Sequence, residues 1–134
     1  MKVMIDTNII ISGALNPSGL TAKALYKALS APYEPVVCDY IVDELHRKFS
    51  EKFPHRMMEL EAFLFNALQF IRVLPTPEES DSSEVLIRDV KDRPILRAAL
   101  AHNIDYLLTG DKDFLEATVD VPCIVSAVTF LDLP

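Results

Sequence analysis

Asp6 ends an apolar run, Lys2-Val3-Met4-Ile5, and is followed at once by Thr7 and Asn8. Asp111 and Asp113 follow a second apolar run, in Leu107-Leu108-Thr109-Gly110-Asp111-Lys112-Asp113-Phe114. Glu44 lies in the amphipathic stretch after a third run, Glu34 to Cys38, and Asp92 stands just ahead of Arg93-Pro94. If these runs are neighbouring strands, four or five carboxylates gather at one edge of a sheet. Such a cluster opposes folding, because like charges raise one another's pKa. A hard divalent cation relieves the conflict, since Mg²⁺ takes oxygen ligands and is held by few carboxylates plus substrate phosphate. The chemistry this suits is metal-assisted hydrolysis of a phosphodiester.

Simpler roles remain open for four of these five acids. Asp92 has the residue type of a helix N-cap, and Asp111 and Asp113 flank the turn-forming Gly110. Glu44 with Lys48, and Asp43 with Arg47, have the spacing of ion pairs on a solvated helix face. Asp6 has no such explanation. Asn8 and Thr109 are placed to orient Asp6 and Asp111 by hydrogen bonds, or to serve only as turn and strand-end residues.

The elements that would position these side chains alternate. Strands are expected at Lys2–Ile5, Glu34–Cys38, Phe70–Leu74, Tyr106–Thr109 and Pro122–Val125. Helices are expected at Leu20–Leu29, from an N-cap at Asp39 to Phe53 (Ile41, Leu45 and Phe49 inward), and from Pro54 to Leu68. In the last of these, Met58, Leu60, Phe63, Leu64, Ala67 and Leu68 are expected to face the core. Further helices follow from Asp92 to about Asn103, and from Ser126 to near Leu131; Pro75–Ser83 reads as a loop. Strands separated by helices imply an α/β domain with a central parallel sheet of about four to five strands and helices on both faces. Ligands of such sheets bind beyond the carboxyl ends of the strands.

The chain has 134 residues, half of them hydrophobic, and no visible repeat or boundary, so residues 1–134 are expected to form one domain. Cys38 and Cys123 match no zinc pattern and lie in apolar runs, where cysteine acts as a small buried hydrophobe. No segment resembles a signal peptide or a membrane span, which implies a cytoplasmic protein with no membrane partner. The net charge of −7 argues at first against nucleic acid. Most of that excess, however, is accounted for by the five carboxylates singled out above. The local basic stretch from His46 to Arg56 could follow a phosphate backbone or be an ordinary solvated face.

Four segments resemble the PIN-domain family in order: Val3-Met4-Ile5-Asp6-Thr7-Asn8-Ile9-Ile10-Ile11-Ser12, Glu44-Leu45, Asp92-Arg93-Pro94-Ile95-Leu96-Arg97-Ala98-Ala99-Leu100, and Asp105-Tyr106-Leu107-Leu108-Thr109-Gly110-Asp111-Lys112-Asp113-Phe114-Leu115. The strongest likeness is to PIN proteins proposed as toxins of prokaryotic toxin–antitoxin pairs. The resemblance implies a single Rossmann-like PIN domain and an endoribonuclease acting on single-stranded RNA. It implies one or two Mg²⁺ or Mn²⁺ ions held by Asp6, Glu44, Asp92 and Asp111, with Asp113 accessory, and products ending in 5′-phosphate and 3′-hydroxyl. Arg93 and Lys112 are candidates to touch the scissile phosphate. An antitoxin and a homodimer partner are implied as well; the apolar helix after Pro54, with Met57, Met58, Phe63, Phe65 and Phe70 nearby, offers a surface. Two other readings remain: a non-cleaving PIN-like module that binds RNA or protein, and a phosphoryl-transfer or receiver-like protein. The last is weakened by Asn8, where a phosphatase motif wants a second Asp.

Overall fold

The computed structural model describes residues 1–134. Strand β1 (Lys2–Ile5) lies at the centre because Val3, Met4 and Ile5 are wholly buried, the signature of a strand covered on both faces. It pairs in parallel with β2 (Glu34–Cys38) on one side and β4 (Tyr106–Leu108) on the other. Strands β3 (Arg72–Leu74) and β5 (Cys123–Val125) complete a five-stranded, all-parallel sheet in the order β3-β2-β1-β4-β5. The chain winds outward from β1 in both directions, and right-handed crossovers therefore set the two groups of helices on opposite faces. The strand order reverses between β1 and β4, which opens the crevice where sheets of this kind bind ligands.

Six α-helices connect the strands, α1 (Thr7–Leu15), α2 (Leu20–Ala28), α3 (Asp39–Lys52), α4 (Met57–Ala67), α5 (Arg93–Ala101) and α6 (Lys112–Leu115), and α7 (Ala127–Asp132) follows the last strand. The expected elements are all present, β1 and β2 with their expected ends and the others with ends shifted by up to three residues, while α1 and α6 were not expected. Asp39 is not the N-cap of α3 but its first residue, and its carboxylate accepts instead from the Thr76 amide and hydroxyl. Three consecutive isoleucines from Ile9 favour a strand by propensity. The helix forms because Ile9, Ile10 and Gly13 fall on one buried face. A Cβ at Gly13 would sit 3.1 Å from Leu25 Cδ2, so glycine permits the close approach of α1 to α2.

Three packing expectations need correction. Met58 is 87 % exposed: Pro54–Arg56 form a 3-10 turn, α4 starts only at Met57, and its buried residues are Leu60 and Leu64, both inward as expected. Phe70 lies outside β3 and is exposed. Cys123 is exposed at the start of the edge strand, whereas Cys38 is buried as expected.

The loop before α5 is tied down by a largely buried ion pair. Arg97 on α5 donates from Nε and Nη2 to Glu84 at 2.9 and 3.0 Å, and from Nη1 to Pro77 O at 3.0 Å. Arg97→Met leaves the Glu84 carboxylate buried without its cation, so a loss of about 3–5 kcal/mol is expected on chemical denaturation. The same loop carries Asp89 and Asp92 to the sheet edge.

Candidate active site

The register of β1 against β4 sets Ile5 opposite Leu108, so Asp6 and Thr109 emerge side by side just beyond the strands. The ladder continues there: Asp6 N donates to Leu108 O, and Thr109 N to Val125 O, both at 3.0 Å. Asp6 is 3 % exposed. Its Oδ1 accepts from the Thr7 amide at 2.8 Å, and its Oδ2 from the Thr109 hydroxyl at 2.7 Å. Thr109 Oγ1 in turn accepts from the Asp111 amide at 3.1 Å, which links two of the acids through one hydroxyl. Burial pushes the Asp6 carboxyl up to about 6; the two hydrogen bonds oppose that rise and the Glu44 charge adds to it.

Glu44 lies in the second turn of α3 and is buried, so it is not a solvated-face residue. Its Oε1 accepts from the Thr7 hydroxyl at 2.5 Å. Lys48 Nζ and Arg47 Nη2 each stand 3.9 Å from Oε2; Arg47 therefore approaches Glu44 instead of the expected Asp43. Thr7, wholly buried between Asp6 and Glu44, was not singled out from the sequence, where it reads as one more small polar residue. Removing its hydroxyl in Thr7→Val leaves a buried carboxylate oxygen short of a donor. A loss of about 1–3 kcal/mol is expected on thermal or urea unfolding.

Asp92 precedes α5 but makes no capping hydrogen bond to it, which removes the simplest structural role for its carboxylate. It is 5 % exposed, and its Oδ2 is buried with no hydrogen-bond partner. Burial raises its pKa to about 8, with the adjacent Asp111 carboxyl, then the charges of Asp6 and Asp89, adding to the effect. Asp111 caps α6, accepting from the Asp113 amide at 2.9 Å. Asp89, which sequence reasoning missed, offers a carboxylate oxygen within 4.8 Å of those of Asp92 and Asp113. Its only sequence signal is its place three residues before Asp92.

The remaining candidates are placed less closely. Asp113 accepts from Arg88 Nε and Nη2 at 2.8 and 2.5 Å. Asn8 is exposed, with no side-chain hydrogen bond to Asp6 or Asp111. Arg93 is turned back to donate to Ile87 O at 3.0 Å, while Lys112 is exposed on α6. Tyr106 packs against Tyr33 and Phe130, remote from the acids at the opposite end of β4.

A buried carboxylate oxygen without a donor, beside acids that raise its pKa, fits a hard cation better than it fits a closed polar network. The residues present therefore suit a divalent metal. The largest cavity, about 650 Å³ between α3 and α4, is lined by none of the acids discussed above.

Comparison with known proteins agrees with this arrangement. No curated protein matches the sequence. Among solved structures, the chain is similar to VapBC2 from Rickettsia felis bound to a DNA fragment from their promoter, at 15 % identity and a TM-score of 0.72. That match covers 94 % of this chain and 98 % of the other. It is also similar to VapC20 of Mycobacterium tuberculosis, a Sarcin-Ricin loop cleaving toxin, at 12 % identity and a TM-score of 0.61, covering 89 % and 98 % of the two chains. These likenesses establish the fold. The family model described as PIN domain matches residues 2–113, more than four-fifths of the chain. With the sheet order, the switch-point crevice and the carboxylates at its edge, that match makes this chain a member of the PIN-domain family.

Proposed function

We propose that this protein is a divalent-metal-dependent endoribonuclease acting on single-stranded RNA, and the toxin of a toxin–antitoxin pair. The observation that carries the reading is Asp92: a buried carboxylate that caps nothing, with an unpartnered Oδ2, beside Asp89 of its own turn and the acids Asp6 and Asp111 from two other elements. Asp6, Asp92 and Asp111 would hold the ion, with Glu44 beside them; the closest carboxylate group at this edge joins Asp92 to Asp89 and Asp113, their oxygens within 4.8 Å of one another, and would share in holding it. The similarity to toxin structures supports the toxin role.

When bound, Mg²⁺ or Mn²⁺ lowers the pKa of water and offsets charge on the phosphate. The protein's own part is orientation and proton acceptance. Thr109 and the Thr7 amide occupy one oxygen lone pair each on Asp6 and fix its plane. The Thr7 hydroxyl occupies Glu44 Oε1, so Oε2, with Lys48 and Arg47 each 3.9 Å away, is the oxygen that would take the proton from the attacking water. The water oxygen bonds to phosphorus, the bond from phosphorus to O3′ breaks, and O3′ takes a proton from solvent. One product ends in a 5′-phosphate and the other in a 3′-hydroxyl.

An antitoxin would block this site most directly with an Arg or Lys directed at the acids. A second copy of the chain would cover the exposed Met58, Phe65 and Phe70 around α4. The test of activity is cleavage of a random-sequence single-stranded RNA pool with Mg²⁺, with Mn²⁺, and with EDTA, beside Asp6→Asn. Cleavage that leaves 5′-phosphate ends and disappears with EDTA and in Asp6→Asn supports the reading. Cleavage that persists in EDTA, or none by the wild type with either ion, contradicts it. Growth arrest on induced expression in bacteria, relieved by Asp6→Asn, tests the toxin role; unaffected growth contradicts that role alone.

A further inference from the structure

A second cavity adjoins the acidic site. It measures about 310 Å³ and lies between α1 and α3. From α1 it is lined by Asn8, Ile11, Ser12 and Leu15, a set spaced to lie along one helical face, and by Asn16 just beyond the helix end. From α3 it is lined by Lys48, Lys52 and the neighbouring Phe53. Glu44, Lys48 and Lys52 follow one another at four-residue intervals, so a single stripe of α3 leads from the catalytic carboxylate into the groove. Lys48 stands at the junction, 3.9 Å from Glu44 Oε2. Lys52 is exposed and makes no ion pair, although acidic residues are plentiful in this chain.

The chemistry of the lining is divided. Two lysines project from backbone positions about 6 Å apart along the helix axis, two amides and a hydroxyl offer both donors and acceptors, and Ile11, Leu15 and Phe53 supply apolar surface. A ligand for this groove must therefore carry negative charge, hydrogen-bonding edges and a flat apolar face together. A nucleotide has all three, and phosphate contacts with stacking on apolar or aromatic side chains are how single strands are held. A lone metal or inorganic anion would leave the apolar floor unused. An apolar peptide would bury the two lysines without partners.

We propose that the α1–α3 groove is a nucleotide subsite that seats one residue of the RNA strand next to the scissile phosphate. Its phosphate meets Lys48 and Lys52, and its base lies over Ile11, Leu15 and Phe53 within reach of Asn8, Ser12 and Asn16. The subsite rests on the ribonuclease reading and adds to it the direction in which the strand leaves the metal site. It also gives Asn8 a task other than orienting Asp6.

The test uses two substitutions with different signatures, measured on a random-sequence single-stranded RNA pool with Mg²⁺. Lys52→Glu removes one phosphate contact; KM is expected to rise about tenfold at low salt with kcat little changed. Its salt dependence, log KM against log salt, is expected to lose about 0.7 of slope, the value for one contact to a single strand. Ser12→Leu fills the groove without altering charge, so KM rises while the salt slope stays as in the wild type. Lys23→Glu, on the exposed side of α2, makes the same charge change elsewhere and should leave both quantities unaltered. Thermal midpoints report that each variant is folded. Wild-type KM and salt slope in both groove variants, with cleavage intact, overturn the subsite and leave the ribonuclease reading standing. An equal shift in Lys23→Glu overturns it too, in favour of general charge. A wild type that cuts no RNA overturns both readings.

Discussion

Asp92→Asn is expected to abolish RNA cleavage and at the same time to raise the thermal midpoint of the metal-free protein. The two effects share one cause. Asp92 is buried, caps no helix and leaves Oδ2 without a donor, while Asp111, Asp6 and Asp89 bear on it electrostatically. An amide at this position removes the charge that those neighbours oppose, and its NH₂ can donate to Asp111. The gain is expected to be on the order of 5 °C. The same change removes a ligand from the proposed metal site, where several kcal/mol of transition-state stabilisation are at stake. That corresponds to a fall in kcat of about a thousandfold or more. A residue kept only for folding would behave oppositely, losing stability on substitution. Scanning calorimetry and single-turnover cleavage of the same preparation separate the two cases.

The second large effect is a dependence of stability on pH that metal reverses. Asp6 and Asp92 ionise near 3.8 when unfolded and are held at about 6 and about 8 in the folded chain, chiefly by burial. Between these limits the native state binds more protons than the unfolded state, so stability falls as pH rises. The contribution is complete below about pH 4 and is lost as pH climbs through 6 and then 8. Asp39 and Glu84 have lowered pKa values, through Thr76 and Arg97 respectively, and act on the acid side of this window. The metal-free midpoint is therefore expected to decline from pH 5 to pH 8.5. Carboxylates must be deprotonated to bind a cation. Stabilisation by millimolar Mg²⁺ should accordingly be small at pH 5 and largest at pH 8.5, flattening the profile. A metal-free midpoint that rises steadily across this range, or Mg²⁺ stabilisation equal at both ends, would contradict the account. In Asp92→Asn the decline should weaken above pH 6, where Asp6 has already titrated.

The parts of this arrangement that the sequence makes legible are those written in short-range pattern. The buried run Val3-Met4-Ile5 fixes the central strand, and Asp6 directly after it is at the sheet edge whatever the loops do. Gly110 and Asp111 follow Leu108 in the same way. The spacing of Ile41, Leu45 and Phe49 settles the face of α3, but Glu44 has the same spacing to Lys48 as a solvated ion pair, and only the packed helix shows it buried. Other features depend on contacts that no local pattern encodes. The helix α1 runs against the strand propensity of its isoleucines and exists because Gly13 lets it settle on α2. Thr7 acquires its role only when α3 brings Glu44 to its hydroxyl across 37 residues of sequence. Asp89 becomes part of the acidic group because the Arg97–Glu84 pair folds its loop back over the site. Met58 escapes the core because α4 starts only at Met57, after a 3-10 turn indistinguishable in sequence from a first helical turn, and Met58 lies across the helix from the buried Leu60. Charge was the most misleading quantity: a net −7 suggests repulsion of RNA, yet much of it is concentrated at a single edge where a cation would offset it.

Asp6, Asp92 and Asp111 are proposed to form one divalent-cation site. Titration of Mn²⁺ followed by electron paramagnetic resonance counts bound ions directly and needs no substrate. The account predicts one or two Mn²⁺ per wild-type chain at pH 8, displaced by Mg²⁺, with affinity lowered at least tenfold in Asp92→Asn and in Asp6→Asn. Binding of equal stoichiometry and affinity in the wild type and both variants, or no binding to the wild type, would contradict it.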